Sequence, residues 1–322
     1  MKREDFYFDS RDGETRIHAV KWIPEKKPRC VVQIVHGMAE YASRYEGLAE
    51  ALTAEGIVVA GEDHLGHGQS VRSKTEQGEH PLGYFCARDA ATVVVRDVHR
   101  LKKLVQEQYP GLPYLILGHS MGSFILRNYL CRYGTGIDGA AIMGTGMQPR
   151  AAVAMARGLA GLIGALGGAK RPSRLLDRMA FGNYNRRIPN PATEVDWLSR
   201  DGEQVRRYLD DPLCGFTFTA NGFHTLFTLI GRLYDPALLE NMPKDLPVLF
   251  LAGEEDPVGD YGKAVSAVAD SFRALGMKRV ECRLYPGMRH ELVNEIGRQE
   301  VEKDLLEWIE RTIRDSARVR SR

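Results

Sequence analysis

Short, unbroken apolar runs alternate with helical patterns along most of this 322-residue chain. CVVQIVHG (from Cys30), IVVAGED (from Ile57), YLILGHS (from Tyr114), GAAIMG (from Gly139) and PVLFLAG (from Pro247) are strand-like and too apolar to leave one face in water. Between them, RYEGLAEALTAEG, AATVVVRDVHRLKKLVQEQYP, SFILRNYLCRYG and YGKAVSAVADSFRALG repeat apolar residues at helical spacing. A strand buried on both faces and followed by a helix belongs to a mostly parallel sheet with helices on either side. RIHAVKWI (from Arg16) alternates at period two and reads as an edge-type strand, VECRLYPG (from Val280) is a further strand, and a last helix is expected near Val301–Thr312. The alternation fails over residues 147–235, rich in Gly and Arg. The expected organisation is a core of residues 1–146 and 236–322 with a helical lid, 147–235, inserted over one end of the sheet.

YLILGHSMGSFILRNYL gives that sheet a chemical purpose. At a tight strand-to-helix turn, Gly-x-Ser-x-Gly lifts the serine hydroxyl above the sheet, and side chains two residues before or after it would collide. Ser120 is therefore the candidate nucleophile. It needs an imidazole to take its proton. Among nine histidines, His290 follows the last strand by a short loop, where a parallel sheet places its active groups; His119 adjoins Ser120, and neighbouring side chains on such a turn diverge. A carboxylate must hold that imidazole. Asp256, just past PVLFLAG, is preferred, with Glu255 as rival and Glu254 and Asp260 as solvated neighbours. The order Ser120, Asp256, His290 is that of the α/β-hydrolases. Two N–H donors for the tetrahedral oxyanion are expected from Met121, after the nucleophile, and Met38, after the strand that ends at His36-Gly37.

Other chemistries find less support. Asp63, His64 and His67 in EDHLGHGQS could suggest a metal, but no further ligand stands at suitable spacing, and a loop tied by hydrogen bonds is expected instead. A formal charge of +2 gives no general attraction for nucleic acid, and the basic tail RDSARVRSR reads as a solvated end. The five cysteines are scattered, with no CxxC pair, as in a cytoplasmic protein with reduced thiols. MKREDFYFDS has no apolar h-region, and no uninterrupted apolar run reaches about 18 residues.

HGMAEYASRY, EDHLGHGQS, GHSMGS, GEEDPVG and GMRHEL, in this order, resemble the monoacylglycerol lipase and lysophospholipase branch of the α/β-hydrolases, the serine aminopeptidase-like family. Leu65 stands where many relatives carry a basic residue. The resemblance implies an α/β-hydrolase fold with an inserted helical lid, Ser120, Asp256 and His290 as triad, Met38 and Met121 as oxyanion donors, a small acyl ester as substrate, and no cofactor or metal. Peptidases share the scaffold, so a general carboxylesterase or an aminopeptidase on the same triad stays open, as does a non-catalytic binding protein. AAVAMARGLAGLIGALGGAK (from Ala151) and DPLCGFTFTANGFHTLFTLIG (from Asp211) concentrate apolar side chains in the insertion. Leu159, Leu162, Ile163, Phe216 and Phe218 are candidates to line an acyl pocket, and the same segment is expected to pack on the core or touch lipid at its surface.

Overall fold

The structure is a computed structural model that describes residues 1–71 and 81–320; His80 and the last two residues of the basic tail lie outside the described residues. Strands β1 (Lys2–Asp9), β2 (Arg16–Ile23), β3 (Cys30–Val35), β4 (Ile57–Glu62), β5 (Tyr114–His119), β6 (Gly139–Met143), β7 (Val248–Gly253) and β8 (Val280–Tyr285) form one sheet in the order β1-β2-β4-β3-β5-β6-β7-β8. From β4 to β8 every neighbouring pair is parallel, with registers such as Val35↔Gly118 and His119↔Met143. β1 and β2 are antiparallel to their neighbours.

Arg16–Ile23 is not the edge. β1 pairs along its whole length, from Lys2↔Ile23 to Asp9↔Arg16, and takes the outer position. Its charged residues suit a strand whose outer side faces water, where charge discourages pairing with another chain.

β3 to β7 are buried at every position. Their alternate residues divide between two cores, Val31, Ile116, Ile142 and Phe250 on one face, Val32, Leu115, Ala141 and Leu251 on the other. The polar residue in β3 is satisfied rather than excluded. Gln33 donates to Val98 O at 3.0 Å and accepts from the Tyr114 hydroxyl at 2.7 Å.

Helices α1 (Glu46–Ala54), α2 (Ala90–Gln108) and α3 (Met121–Tyr133) link the strands up to β6. Between β6 and β7 come α4 (Arg150–Ile163), α5 (Arg174–Phe181), α6 (Gly202–Asp210), α7 (Ala220–Arg232) and α8 (Pro236–Leu239); α9 (Lys263–Ala274) and α10 (Arg298–Arg320) complete the chain. α10 runs beyond the expected Val301–Thr312 at both ends, and its Val301, Leu305, Trp308 and Ile309 keep one stripe on the sheet beside Leu48 and Leu52 of α1. α2, α3 and α9 cover the other face, and α7 packs on α2, α3 and α4.

Candidate active site

Three strands of the parallel part of the sheet, β5, β7 and β8, deliver the expected site residues from their carboxyl ends. Ser120 follows β5 with φ 52° and ψ −119°, a conformation that side chains rarely adopt. The flanking glycines make it possible. A Cβ on Gly118 would lie 2.5 Å from Gly122 O, and one on Gly122 would lie 1.9 Å from Val35 O.

Asp256 and His290 meet beyond β7 and β8. His290 Nδ1 lies 2.9 Å from Asp256 Oδ2, and Asp256 Oδ1 accepts from Val258 N–H at 2.8 Å. Asp256 is fully buried, whereas Glu254, Glu255 and Asp260 are exposed, and Glu255 lies 3.8 Å from Arg289. With Nδ1–H given to the carboxylate, Nε2 is left as the basic nitrogen, and it has no hydrogen-bond partner among the described residues. β6 completes the convergence. A Cβ on Gly144 would stand 3.1 Å from His290 Cε1.

The loop after β3 packs directly on the elbow, since a Cβ on Gly37 would lie 3.1 Å from Ser120 Cβ. Met38 is the next residue on this loop. Met121 opens α3, where the first N–H groups of a helix have no partner within it. The segments of the two expected donors, Met38 and Met121, thus lie side by side.

Several residues have supporting roles that were not read from the sequence. His119 diverges from Ser120, as expected, and instead supports His290, its Nε2 lying 3.2 Å from His290 O and its ring 4.8 Å away. Trp197, from the inserted segment, stands 5.0 Å from the His290 ring, and its carbonyl accepts from His290 N–H at 3.3 Å. Behind the loop of Met38, Glu40 Oε1 accepts from Gly37 N–H at 2.5 Å and Glu40 Oε2 from Arg44 at 2.7 Å. Burial works against the charged form of Glu40, but the His119 hydrogen bond and the Arg44 charge hold its carboxyl well below the usual range. The spacing of Glu40 and Arg44 in HGMAEYASRY was a signal for this pair.

The apolar candidates of the insertion divide. Phe218 is fully buried among the rings of His67, Phe85 and Phe223. Leu159, Ile163 and Phe216 are half-buried. Leu162 is 58% exposed.

The loop of Asp63, His64 and His67 is tied internally. Asp63 accepts from Ala42 N–H, Gln69 N–H and His18, and His64 N–H donates to His36 Nε2. Among the described residues no group of three His, Cys, Asp or Glu is placed to hold a metal. Burial pushes His36 down to about 4, His67 to about 3 and His64 well below its ordinary value. The folded chain keeps them neutral while the unfolded chain takes up protons below about pH 6.5, so stability falls on acidification by roughly 1.4 kcal/mol per pH unit for each. His18 and His119 have the opposite sign. Despite burial, Asp63 and Asp5 raise the first and Glu40 raises the second. Their stabilisation is present below about pH 6.5 and is lost as pH rises through their folded values. Burial raises Glu62 well above the usual carboxylate range and takes Asp97 to about 7, which opposes the histidines below about pH 6.5. Removing one of the three histidines, as in His67→Phe, should therefore lessen the stability lost between about pH 6.5 and about pH 5 by urea unfolding, and an unchanged loss would contradict the neutral cluster.

Fold and site together define an α/β-hydrolase. The family model for serine aminopeptidase, S33, matches residues 26–297, and the chain belongs to that family. It is 30% identical to a monoacylglycerol lipase of Mycolicibacterium smegmatis over 305 residues, 92% of this chain and 94% of that one. It is 28% identical to a monoglyceride lipase homolog of monkeypox virus over 298 residues, covering 91% and 92% of the two chains. The crystal structure of a thermostable carboxyl esterase from Bacillus coagulans, in complex with glycerol, superposes with a TM-score of 0.88 at 31% identity, covering 97% of this chain and 99% of that one.

Proposed function

We propose that this chain hydrolyses carboxylic acyl esters of the monoacylglycerol or lysophospholipid type through Ser120, His290 and Asp256. The observation that carries the reading is the buried His290–Asp256 pair, with its free Nε2, beside a serine held at φ 52°. Ser120 Oγ attacks the ester carbonyl and gives its proton to His290 Nε2, while Asp256 stabilises the imidazolium. The N–H groups of Met38 and Met121 take the developing oxyanion. Collapse expels the alcohol, which leaves with the proton from His290. Water, deprotonated by the same nitrogen, then attacks the acyl-enzyme and frees the acid and the serine. The names of the relatives at 28 to 30% identity support an ester of glycerol.

An aminopeptidase would need acidic groups to hold a substrate amine, and those of the inserted segment are largely engaged. Asp196 accepts from Ala192 and Thr193 N–H, Asp201 caps α6, Glu203 pairs with Arg207, and Asp211 takes the Tyr41 hydroxyl. The half-buried Leu159, Ile163 and Phe216 supply apolar surface suited to an acyl chain, and the exposed Leu and Met side chains of α4 and α5 suit contact with lipid.

A panel of glycerol esters of increasing chain length, set against aminoacyl amides, tests the reading. Each methylene buried should raise kcat/KM about fourfold, from about 0.8 kcal/mol, until the pocket is full. Faster cleavage of the amides would assign the triad to peptides.

A further inference from the structure

β4 ends on a carboxyl that the proposed reaction does not use. Glu62 is fully buried, yet neither of its oxygens meets a hydrogen-bond partner among the described residues. One of them faces His64 Nδ1 at 3.7 Å, and that nitrogen is likewise without a partner. The neighbouring hydrogen bonds fix which ring nitrogens carry protons. His64 N–H donates to His36 Nε2 at 3.0 Å, so that nitrogen is an acceptor, and His36 Nδ1–H donates to Gly37 O at 2.8 Å. His64 Nε2 lies 3.2 Å from His36 O, where only an N–H can be satisfied. Burial holds His64 neutral, so its Nδ1 is a bare lone pair facing Glu62.

A buried lone pair needs a donor, and an ionised carboxylate has none. Burial, with Asp97 and Asp63 nearby, holds the Glu62 carboxyl well above the usual range, so it keeps its proton. The other two carboxyls are engaged elsewhere: Asp63 with His18, Asp97 with the Ser10 hydroxyl and Arg11 N–H. The bonds that start at Glu62 end on the peptide between Gly37 and Met38. His36 holds its carbonyl, and Glu40 takes the N–H of the peptide before it. In a trans peptide C=O and N–H point opposite ways, so holding the carbonyl aims the Met38 N–H away from His36. This is the loop whose Gly37 lies against Ser120.

We propose that the Glu62 carboxyl donates its proton to His64 Nδ1 and acts, through His64 and His36, as a positioning residue for the Met38 oxyanion donor. This rests on the esterase reading above, but two arms of its test do not. Near neutral pH, imidazole nitrogen NMR of the full chain should show His64 protonated on Nε2 and His36 on Nδ1. Infrared difference spectra of parent against Glu62→Gln should show the loss of one un-ionised carboxyl band. Glu62→Leu removes the donor and should lower kcat on a short soluble ester by about ten- to a hundredfold, with KM within about twofold, because a displaced oxyanion donor acts on the transition state. Glu62→Gln, whose amide also offers an N–H to Nδ1, should restore kcat to within about threefold of the parent. Leucine fills similar space, so a packing role would leave its kcat near the parent's. A role for negative charge would leave Glu62→Gln as poor as Glu62→Leu. Either result, in variants shown to be folded by urea unfolding, would overturn the proposal, as would an infrared spectrum in which Glu62→Gln loses no carboxyl band. If the parent cleaves no ester, the two spectra still decide whether Glu62 holds a proton against His64, which separates failure of the esterase reading from failure of this one.

Discussion

Ser120→Ala should lower kcat by roughly ten-thousandfold or more and leave the unfolding midpoint within error of the parent. Alanine keeps the Cβ, so the backbone strain at φ 52° persists, and only the hydroxyl oxygen is lost. Ser120→Gly separates the two effects. Glycine adopts positive φ freely, so this variant should be equally inactive yet more stable by about 1 kcal/mol, releasing strain the parent keeps for catalysis. Neither variant should be labelled by an active-site phosphonate. Ser123, whose hydroxyl donates to Ser120 O at 2.5 Å, steadies the elbow from the first turn of α3, so Ser123→Ala should retain labelling. Parent-like ester turnover by Ser120→Ala would remove the mechanism.

The parallel strands were legible because each is buried on both faces, and residues such as Val31, Val32 and Ile34 then admit no polar alternation. β1 was hidden by the opposite cause. Its position at the edge lets Lys2, Arg3, Glu4 and Asp5 face solvent, and the local strand signal reduces to Phe6 and Phe8, two residues apart. Its presence also explains why Arg16–Ile23 is buried over six of its eight positions although its alternation suggested an edge. Ser120 was legible through its glycines, whose need is steric and local. The inserted segment was legible as an interruption of the pattern, but not residue by residue. Leu162 and Phe218 are equally apolar in sequence, yet one lies in solvent and the other in a cluster of aromatic rings, because facing depends on how α4 and the segment leading into α7 pack. Arg44 and Glu291 are 247 positions apart, and no local spacing could have joined them.

That distant pair carries the second large effect. Arg44 donates to Glu291 through two nitrogens, at 2.7 and 2.8 Å, and to Glu40 at 2.7 Å, and its guanidinium stands 4.9 Å from the Tyr208 ring of α6. It therefore joins the loop of Met38, the segment of His290 and an inserted helix. Glu40 extends the link to the elbow, with the Tyr45 hydroxyl 2.8 Å from its Oε1 and 2.7 Å from His119 Nδ1. Arg44→Ala would leave two buried carboxylates without their cation, and should cost about 3–5 kcal/mol of stability by urea unfolding. Replacing the whole buried group with apolar residues need not cost as much, since desolvating the charges offsets most of their attraction. Arg44→Lys keeps the charge but not the fork, and should fall between parent and Arg44→Ala. Where these variants remain folded, kcat on a short ester should fall more than KM rises, because in the proposed mechanism the loop of Met38 and the segment of His290 act on the transition state rather than on acyl-chain binding. Stability of Arg44→Ala within about 1 kcal/mol of the parent, with kcat unchanged, would show that the loop of Met38 and the His290 segment hold their positions without this cation.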